Sequence, residues 1–321
     1  MLFLFVFTVL MSFGLTFLYR KWAVKRSILD FPNERSSHLT PTPRGGGVAI
    51  VISFYLSLII LFLTDHIENK LFYALIPGLA LAIIGSIDDI RQISPAKRLI
   101  VHFLCSGFAI FWLGGFKISY IEHMNWLWSV ILLFGFVWFI NLFNFLDGSD
   151  GYASMETILV SLALWYLTKM NVFFILCLSA AGFLYWNWPK AKIFMGDSGS
   201  TTLGYILIVL GTYLHNTMTL DFSYWLILTS LFWFDASVTL FRRLIHMERL
   251  SQAHKKHVYE RAINGGFSHL NILITGILIN ASLFVVCISV LKDHFSLLTG
   301  SVITLLILLV PLKYIDRKFP S

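Results

Sequence analysis

Apolar residues in this 321-residue chain come in long runs, and charge is confined to the short stretches between them. Segments of about 17–25 apolar residues placed in lipid can satisfy their own backbone only as helices, so the choice of fold narrows at once. Eleven runs are read, at about 2–18, 47–63, 71–87, 99–113, 126–143, 155–168, 172–187, 201–214, 224–240, 270–291 and 295–312. The runs at 99–113, 155–168 and 201–214 are short, and Lys169-Met170-Asn171 divides what would otherwise be one helix over 155–187. Charged residues make up 13% of the chain, against about 25% in soluble domains. The expectation is an all-α polytopic membrane protein, one integral-membrane unit over 1–321 with about eleven transmembrane helices. The first run lacks a basic leader and a small-residue cleavage site, and is read as a span rather than a removed signal peptide.

The placement of charge orients those spans. Twenty of the 24 Lys and Arg fall in alternate loops, and only Lys70, Lys117, Lys169 and Lys292 fall in the others. Cytoplasmic loops carry the excess of positive charge, so the N-terminus is expected outside and the C-terminus in the cytoplasm. The net charge of +7 is therefore a topology signal and does not point to nucleic acid. Cys105, Cys177 and Cys287 each lie inside a different apolar run with no ligand partner at metal spacing, and read as small buried hydrophobes.

Five polar clusters fall on the basic side. The first loop contains Pro41-Thr42-Pro43-Arg44-Gly45-Gly46-Gly47, in which prolines fix an extended path, glycines allow backbone N–H groups near an anion, and Arg44 offers a bidentate phosphate contact. A positive-inside loop with a flexible entry to the next span explains the same residues. Asp88-Asp89 ends the third run; adjacent carboxylates need a cation or hydrogen bonds, and could face metal-bound phosphate, accept a proton, or sit solvated beside Arg91.

The densest cluster is Asn141-Leu-Phe-Asn144-Phe-Leu-Asp147-Gly148-Ser-Asp150-Gly151. Asn141, Asn144 and Asp147 share a face while the helix lasts, and the two glycines permit an exit that swings Asp150 toward the same cavity. Such oxygen ligands suit Mg²⁺, which keeps waters and substrate phosphates in its shell. Phe194-Met-Gly196-Asp197-Ser198-Gly199-Ser200 leaves Asp197 sterically open, with Ser198 or Ser200 as helix caps. Phe194 could stack on a base, although ordinary packing accounts for it equally. In the last large loop His254 and His257 are expected one helical turn apart; nothing in the sequence completes a zinc site, and neighbouring Lys255, Lys256 and Arg261 favour an anion. Asp235, inside the ninth run, is a candidate by burial and could pair with Arg242.

In this order the clusters resemble the polyprenyl-phosphate N-acetylhexosamine-1-phosphate transferase family, from about 30 to 269. The resemblance implies transfer of a sugar-1-phosphate from a UDP-N-acetylhexosamine to undecaprenyl phosphate, with release of UMP, at the bacterial inner membrane. It implies that Asn144 and Asp197 hold Mg²⁺ (or Mn²⁺), that Asp150 and Phe194 engage uracil, and that Asp88 and Asp89 position or deprotonate the lipid phosphate. By the same resemblance Asp147 shapes the metal site, and Arg44, His254 and His257 meet phosphates or the sugar. The peptidoglycan branch carries consecutive histidines where this chain has His254-Lys-Lys-His257, so the likeness is to branches that initiate O-antigen or other surface polysaccharides. An intramembrane Mg-dependent prenyltransferase and a polyprenyl or nucleotide-sugar transporter are the competing readings. Membrane lipid is the expected surrounding, and a homo-oligomer is left open.

Overall fold

The computed structural model describes residues 1–32, 40–117, 124–249 and 254–320. Positions 33–39 of the first loop, with Asn33, Arg35 and His38, lie outside the described residues. Among the described residues fourteen helices follow one another: α1 Leu2–Lys25, α2 Gly47–Leu63, α3 Asn69–Leu75, α4 Gly78–Ile90, α5 Pro95–Leu113, α6 Asn125–Phe145 and α7 Tyr152–Thr168, then α8 Asn171–Asn187, α9 Asp197–Asn216, α10 Phe222–Leu228, α11 Ser230–Ile245, α12 Val258–Asn264, α13 His269–Leu291 and α14 Leu297–Lys318. The only strands among the described residues form a two-residue antiparallel ladder, β1 Leu29–Asp30 with β2 Thr42–Pro43. It closes the first loop on itself, as prolines that hold the chain extended allow.

Every apolar run expected from sequence falls on helix, but the runs are not equivalent. Six helices, counting Asn69–Ile90 as one, are long and apolar enough to cross a membrane, and a seventh is counted if α10 and α11 form one bent span. Helices α2 and α8 are apolar but shorter, at 17 residues each. The run at 71–87 is divided at Pro77 into α3 and α4. The run at 224–240 is not a straight helix: α10 and α11 meet at 75°. At that corner Thr229 Oγ1 bonds the Trp225 carbonyl at 2.8 Å and Ser230 Oγ bonds that of Ile227 at 2.7 Å, so hydroxyls compete for acceptors of the helical ladder.

Helix α9 is the centre of the bundle, buried without a break from Ser198 to Leu214 and packed by α2, α4, α5 and α6 among others. Helix α1 lies at the edge, with Leu2, Phe3, Leu10 and Leu18 exposed and a small polar seam turned inward. In that seam Thr8 Oγ1 meets Ser57 Oγ at 2.7 Å and Ser12 Oγ donates to the Ser179 carbonyl at 2.5 Å, the close packing typical of helices in lipid.

The basic loops gather at one end. Arg20 Nε donates to the Lys192 carbonyl at 3.1 Å, Arg44 pairs with Asp89, the Ala191 N–H donates to Asp150, and Arg242 pairs with Asp316. At the other end of α9, Asn216 Oδ1 accepts from the Lys117 N–H at 3.2 Å and Asn216 Nδ2 donates to the Leu113 carbonyl at 3.1 Å. The sequence clusters singled out for chemistry all lie at the end where α9 begins.

Candidate active site

Three helix ends bring the acids together. Asp88 and Asp89 close α4, Asp197 opens α9, Asn144 lies in the last turn of α6, and Asp147 follows α6 by two residues. Such close approach needs bare backbone. A Cβ on Gly85 would lie 2.5 Å from the Ser198 nitrogen, and one on Gly47 would lie 2.3 Å from Gly199 Cα.

The two neighbouring aspartates do different things. Asp89 is buried, and its carboxylate accepts from the Asp197 N–H at 3.0 Å and the Ser198 N–H at 3.3 Å, so a residue of α4 caps α9. Ser198 and Ser200, expected as caps, do not serve; Ser200 Oγ donates to the Gly196 carbonyl and Ser198 Oγ is buried without a partner. Asp88 is more open, its side chain 12% exposed against 1% for Asp89. Its Oδ1 accepts from the Ile93 N–H at 2.6 Å and its Oδ2 from Arg98 Nη1 at 2.9 Å.

Arg98, near the start of α5, also donates to the Asp197 carboxylate, so one guanidinium bridges two acids from different helices. Sequence reading counted Arg98 only as a topology charge; the position one turn after Pro95 carried no motif. Asn144 Nδ2 donates to Ser200 Oγ at 2.8 Å, and the Asn144 side chain also bonds the Asp197 carboxyl. With the nitrogen so used, its oxygen is the end open to a cation. Asp147 is half-buried, and burial, helped by the Asp197, Asp89 and Asp150 carboxylates, pushes its pKa well above the usual carboxylate range. Asp88 and Asp197, bridged by Arg98, and Asn144, bonded to Asp197, are oxygen donors of the hard type with Asp147 in electrostatic reach, and Arg98 shows the two acids already engaging a cation. The residues present fit a divalent metal.

Arg44 Nη2 lies 3.3 Å from Asp89 Oδ1 and donates to the Asp88 carbonyl at 3.1 Å, while its Nε is buried and unpartnered. Two of the three glycine N–H groups beside it are already engaged within the protein. The Gly46 and Gly47 N–H groups donate to the Phe194 and Met195 carbonyls at 2.9 and 2.8 Å, and Phe194 N–H returns a bond to the Pro43 carbonyl at 2.8 Å. Those donors fasten the Phe194 loop to α2, which explains why glycine stands there better than anion contact does. Phe194 itself is half-buried.

Asp150 turns toward a neighbouring loop. Its Oδ2 accepts from the Ala191 N–H at 3.0 Å and its N–H donates to His269 Nδ1 at 3.1 Å. Gly151, with φ at +74°, makes the turn, and its N–H donates to Asn187 Oδ1 at 3.0 Å. Asn187 Nδ2 reaches the Ile193 carbonyl at 3.0 Å and so ties the Asp150 and Phe194 loops together. Asn187 ends an apolar run, and burial of that amide was the signal missed. Asn141 joins His102 Nδ1 at 3.2 Å and the Val137 carbonyl, one turn below the acids.

The histidines form a second group. They are not one turn apart on a helix: both precede α12, and His257 is its N-cap, with ring centroids 4.8 Å apart. Asp235 pairs with His257 Nδ1 at 3.7 Å and accepts from the Val258 N–H at 2.9 Å, whereas its expected partner Arg242 goes to Asp316. Glu260 lies with the two histidines, all within 4.8 Å of one another. Burial pushes His254 down to about 4 and Glu260 up to about 7. Tyr259 links this group to the acids: its hydroxyl donates to the Phe145 carbonyl at 3.1 Å, two residues before Asp147.

Comparison with known proteins places the chain in a family. Residues 71–215 match glycosyl transferase family 4. The chain is similar to an undecaprenyl-phosphate alpha-N-acetylglucosaminyl 1-phosphate transferase of Thermotoga maritima, 30% identical over 273 residues, covering 83% of this chain and 84% of the relative. It is 27% identical over 335 residues to the Yersinia pestis protein of the same description, covering 96% and 89%. A probable undecaprenyl-phosphate N-acetylglucosaminyl 1-phosphate transferase of Bacillus subtilis is 27% identical over 284 residues, covering 83% and 78%. This multi-pass helical chain therefore belongs to the polyprenyl-phosphate N-acetylhexosamine-1-phosphate transferase family.

Proposed function

We propose that the protein transfers an N-acetylhexosamine-1-phosphate from its UDP-sugar to undecaprenyl phosphate, releasing UMP, at the cytoplasmic face of a bacterial inner membrane. An oxygen of the lipid phosphate bonds to the β-phosphorus, the bond to the bridging oxygen breaks, and UMP leaves with that electron pair. The observation that carries the reading is the convergence of Asp88 from α4 and Asp197 from α9 on the Arg98 guanidinium, with Asn144 of α6 bonded to Asp197 and Asp147 close enough to feel its charge. A negative acceptor must approach a negative diphosphate, so alignment and charge compensation make up most of the chemistry.

Asn144 and Asp197 would hold Mg²⁺, or Mn²⁺ in its place, and the bound cation offsets the charge of the diphosphate. Because Asp89 is committed to capping α9, Asp88 is the acid that faces the acceptor phosphate, with Arg98 beside it as an anion partner. Asp147 lines the same cavity and sets its charge. Arg44 brings an unpaired buried Nε to the lipid-phosphate side. Asp150 and Phe194, tied through Asn187, form the nucleobase end, and His254 and His257 the sugar end. An arrangement of about eleven spans with the basic loops inside would put these loops at headgroup depth, where the carrier's phosphate lies. Initiation of O-antigen or a related surface glycan is the proposed place of this reaction, since the spaced histidines differ from the consecutive ones of the peptidoglycan branch.

Purified protein supplied with undecaprenyl phosphate and a panel of UDP-N-acetylhexosamines tests the reading. UMP release, mass-identified lipid diphosphate-sugar, loss of turnover in chelator and its return with Mg²⁺ are expected, as is loss in Asp197→Ala. Lipid movement with no bond cleavage would favour a transporter, and prenyl transfer to an aromatic acceptor the other enzyme class. Metal-dependent turnover persisting in Asp197→Ala would remove the metal assignment.

A further inference from the structure

The last turn of α14 gathers two arginines from two other elements. Arg242 of α11 donates Nη1 to Asp316 Oδ1 at 2.8 Å and Nη2 to Oδ2 at 2.6 Å. Arg261 of α12 donates Nη2 to the same Oδ1 at 2.6 Å. Arg261 is buried, and its Nη1 also donates to the Phe319 carbonyl at 3.1 Å. The Phe319 ring covers Gly265, where an added Cβ would meet it at 2.3 Å. The chain's final residues thus grip α12 along its C-terminal half.

Toward its N-terminus α12 reaches the site. Val258 N–H donates to Asp235 at 2.9 Å, and Tyr259 hydroxyl donates to the Phe145 carbonyl at 3.1 Å. The same hydroxyl stands 2.1 Å from where a Cβ on Gly148 would be, so Tyr259 contacts the chain on both sides of Asp147. Helix α12 has seven residues, and helices below about 12 residues do not hold themselves in place by local bonds. Its position is set by what grips it. A carboxylate shared by two guanidinium groups is a strong grip, and its loss would leave two cations facing each other.

We propose that Asp316 is a positioning residue for the transfer centre. Through Arg261 it sets α12, and through α12 it sets Tyr259 and His257 against the loop that carries Asp147 and Asp150. The catalytic part of this inference rests on the reaction proposed above; the structural part does not.

The test uses full-length protein in detergent with three variants, Asp316→Ala, Asp316→Asn and Asp316→Glu. Hydrogen–deuterium exchange is followed over 145–151 and 258–264, together with turnover per folded molecule on UDP-N-acetylglucosamine and undecaprenyl phosphate. In Asp316→Ala, exchange is expected to rise in both segments, kcat to fall roughly tenfold or more and donor KM to rise with it, because Asp147 loses alignment while the donor-contacting His257 and Asp150 shift with α12. Asp316→Asn, which keeps the shape, is expected to show the same pattern more weakly, and Asp316→Glu to restore at least half of the turnover. Three results would each overturn the proposal: exchange unchanged at 145–151, unchanged kcat per folded molecule in Asp316→Ala, or Asp316→Glu failing as completely as Asp316→Ala. If the unaltered protein turns over no substrate, the reaction fails, while the exchange pattern still judges the grip.

Discussion

Replacing Gly85 by alanine puts the close approach of α4 and α9 to direct trial. By helix propensity alone the change should stabilise α4 by about 1 kcal/mol. Packing opposes it. The new methyl would lie 2.5 Å from the Ser198 nitrogen, 2.6 Å from the Asp197 carbonyl carbon and 2.7 Å from its oxygen, all backbone atoms that no rotamer change can move. Reaching ordinary contact at 3.4 Å requires a displacement of about 0.9 Å between the two helices. That motion stretches the Asp89 caps, now 3.0 and 3.3 Å, and carries Asp197 away from Asp88 and Asn144. Overpacking of this kind costs roughly 1–3 kcal/mol, which cancels or exceeds the propensity gain. A displacement near 1 Å at reacting groups costs on the order of 100-fold in rate. The expected outcome is a protein of similar or slightly lower thermal stability whose kcat for UMP release falls about 100-fold. A variant with wild-type kcat would refute the claim that backbone contact between α4 and α9 sets the acids; a more stable and fully active one would also reverse the packing argument.

Three further outcomes follow from the same geometry. Phe194→Ala should raise the donor KM more than the acceptor KM in steady-state kinetics, and equal effects on both would remove the base-stacking role. Asp89→Asn retains an acceptor but loses charge at the start of α9, so thermal stability should fall by about 1 kcal/mol or more; unchanged melting would show that the cap contributes little. His254, lowered from its ordinary 6.5 to about 4, stays neutral in the fold while the unfolded chain takes up its proton. Its stabilising contribution is therefore present above pH 6.5 and lost as pH falls toward about 4. Melting curves of His254→Gln should then depend less on pH across that window, and an unaltered slope would contradict the burial of this ring.

Much of the architecture could be read before any coordinates because lipid leaves few options: each apolar run lies on helix, and the basic loops meet at one end. The acidic motifs were legible for a related reason, since Asp and Asn beside a span demand partners. What stayed hidden depends on which helices touch. Arg98 looked like any cytoplasmic arginine until α5 was seen to lie against both Asp88 and Asp197. The triple glycine suggested an anion loop, but its donors hold the Phe194 segment, a pairing between residues about 150 apart in sequence. Arg242 was one partner open to Asp235 by proximity along one helix, but it pairs with Asp316, far along the chain, and Asp235 meets His257 and Val258 instead. The corner at Thr229 rests on hydroxyl bonds, which periodicity of hydrophobic residues does not register.

Helix α9 has no lipid-facing side between Ser198 and Leu214, and its first residue is Asp197, the acid proposed to hold the metal. The catalytic end is thereby anchored to an axle that the surrounding acyl chains never touch. Bacteria remodel membrane fluidity with temperature and diet, and the outer helices must adjust to each change. An enclosed axle insulates the chemistry from that weather, leaving the rim of the protein to follow the bilayer while the centre keeps its alignment.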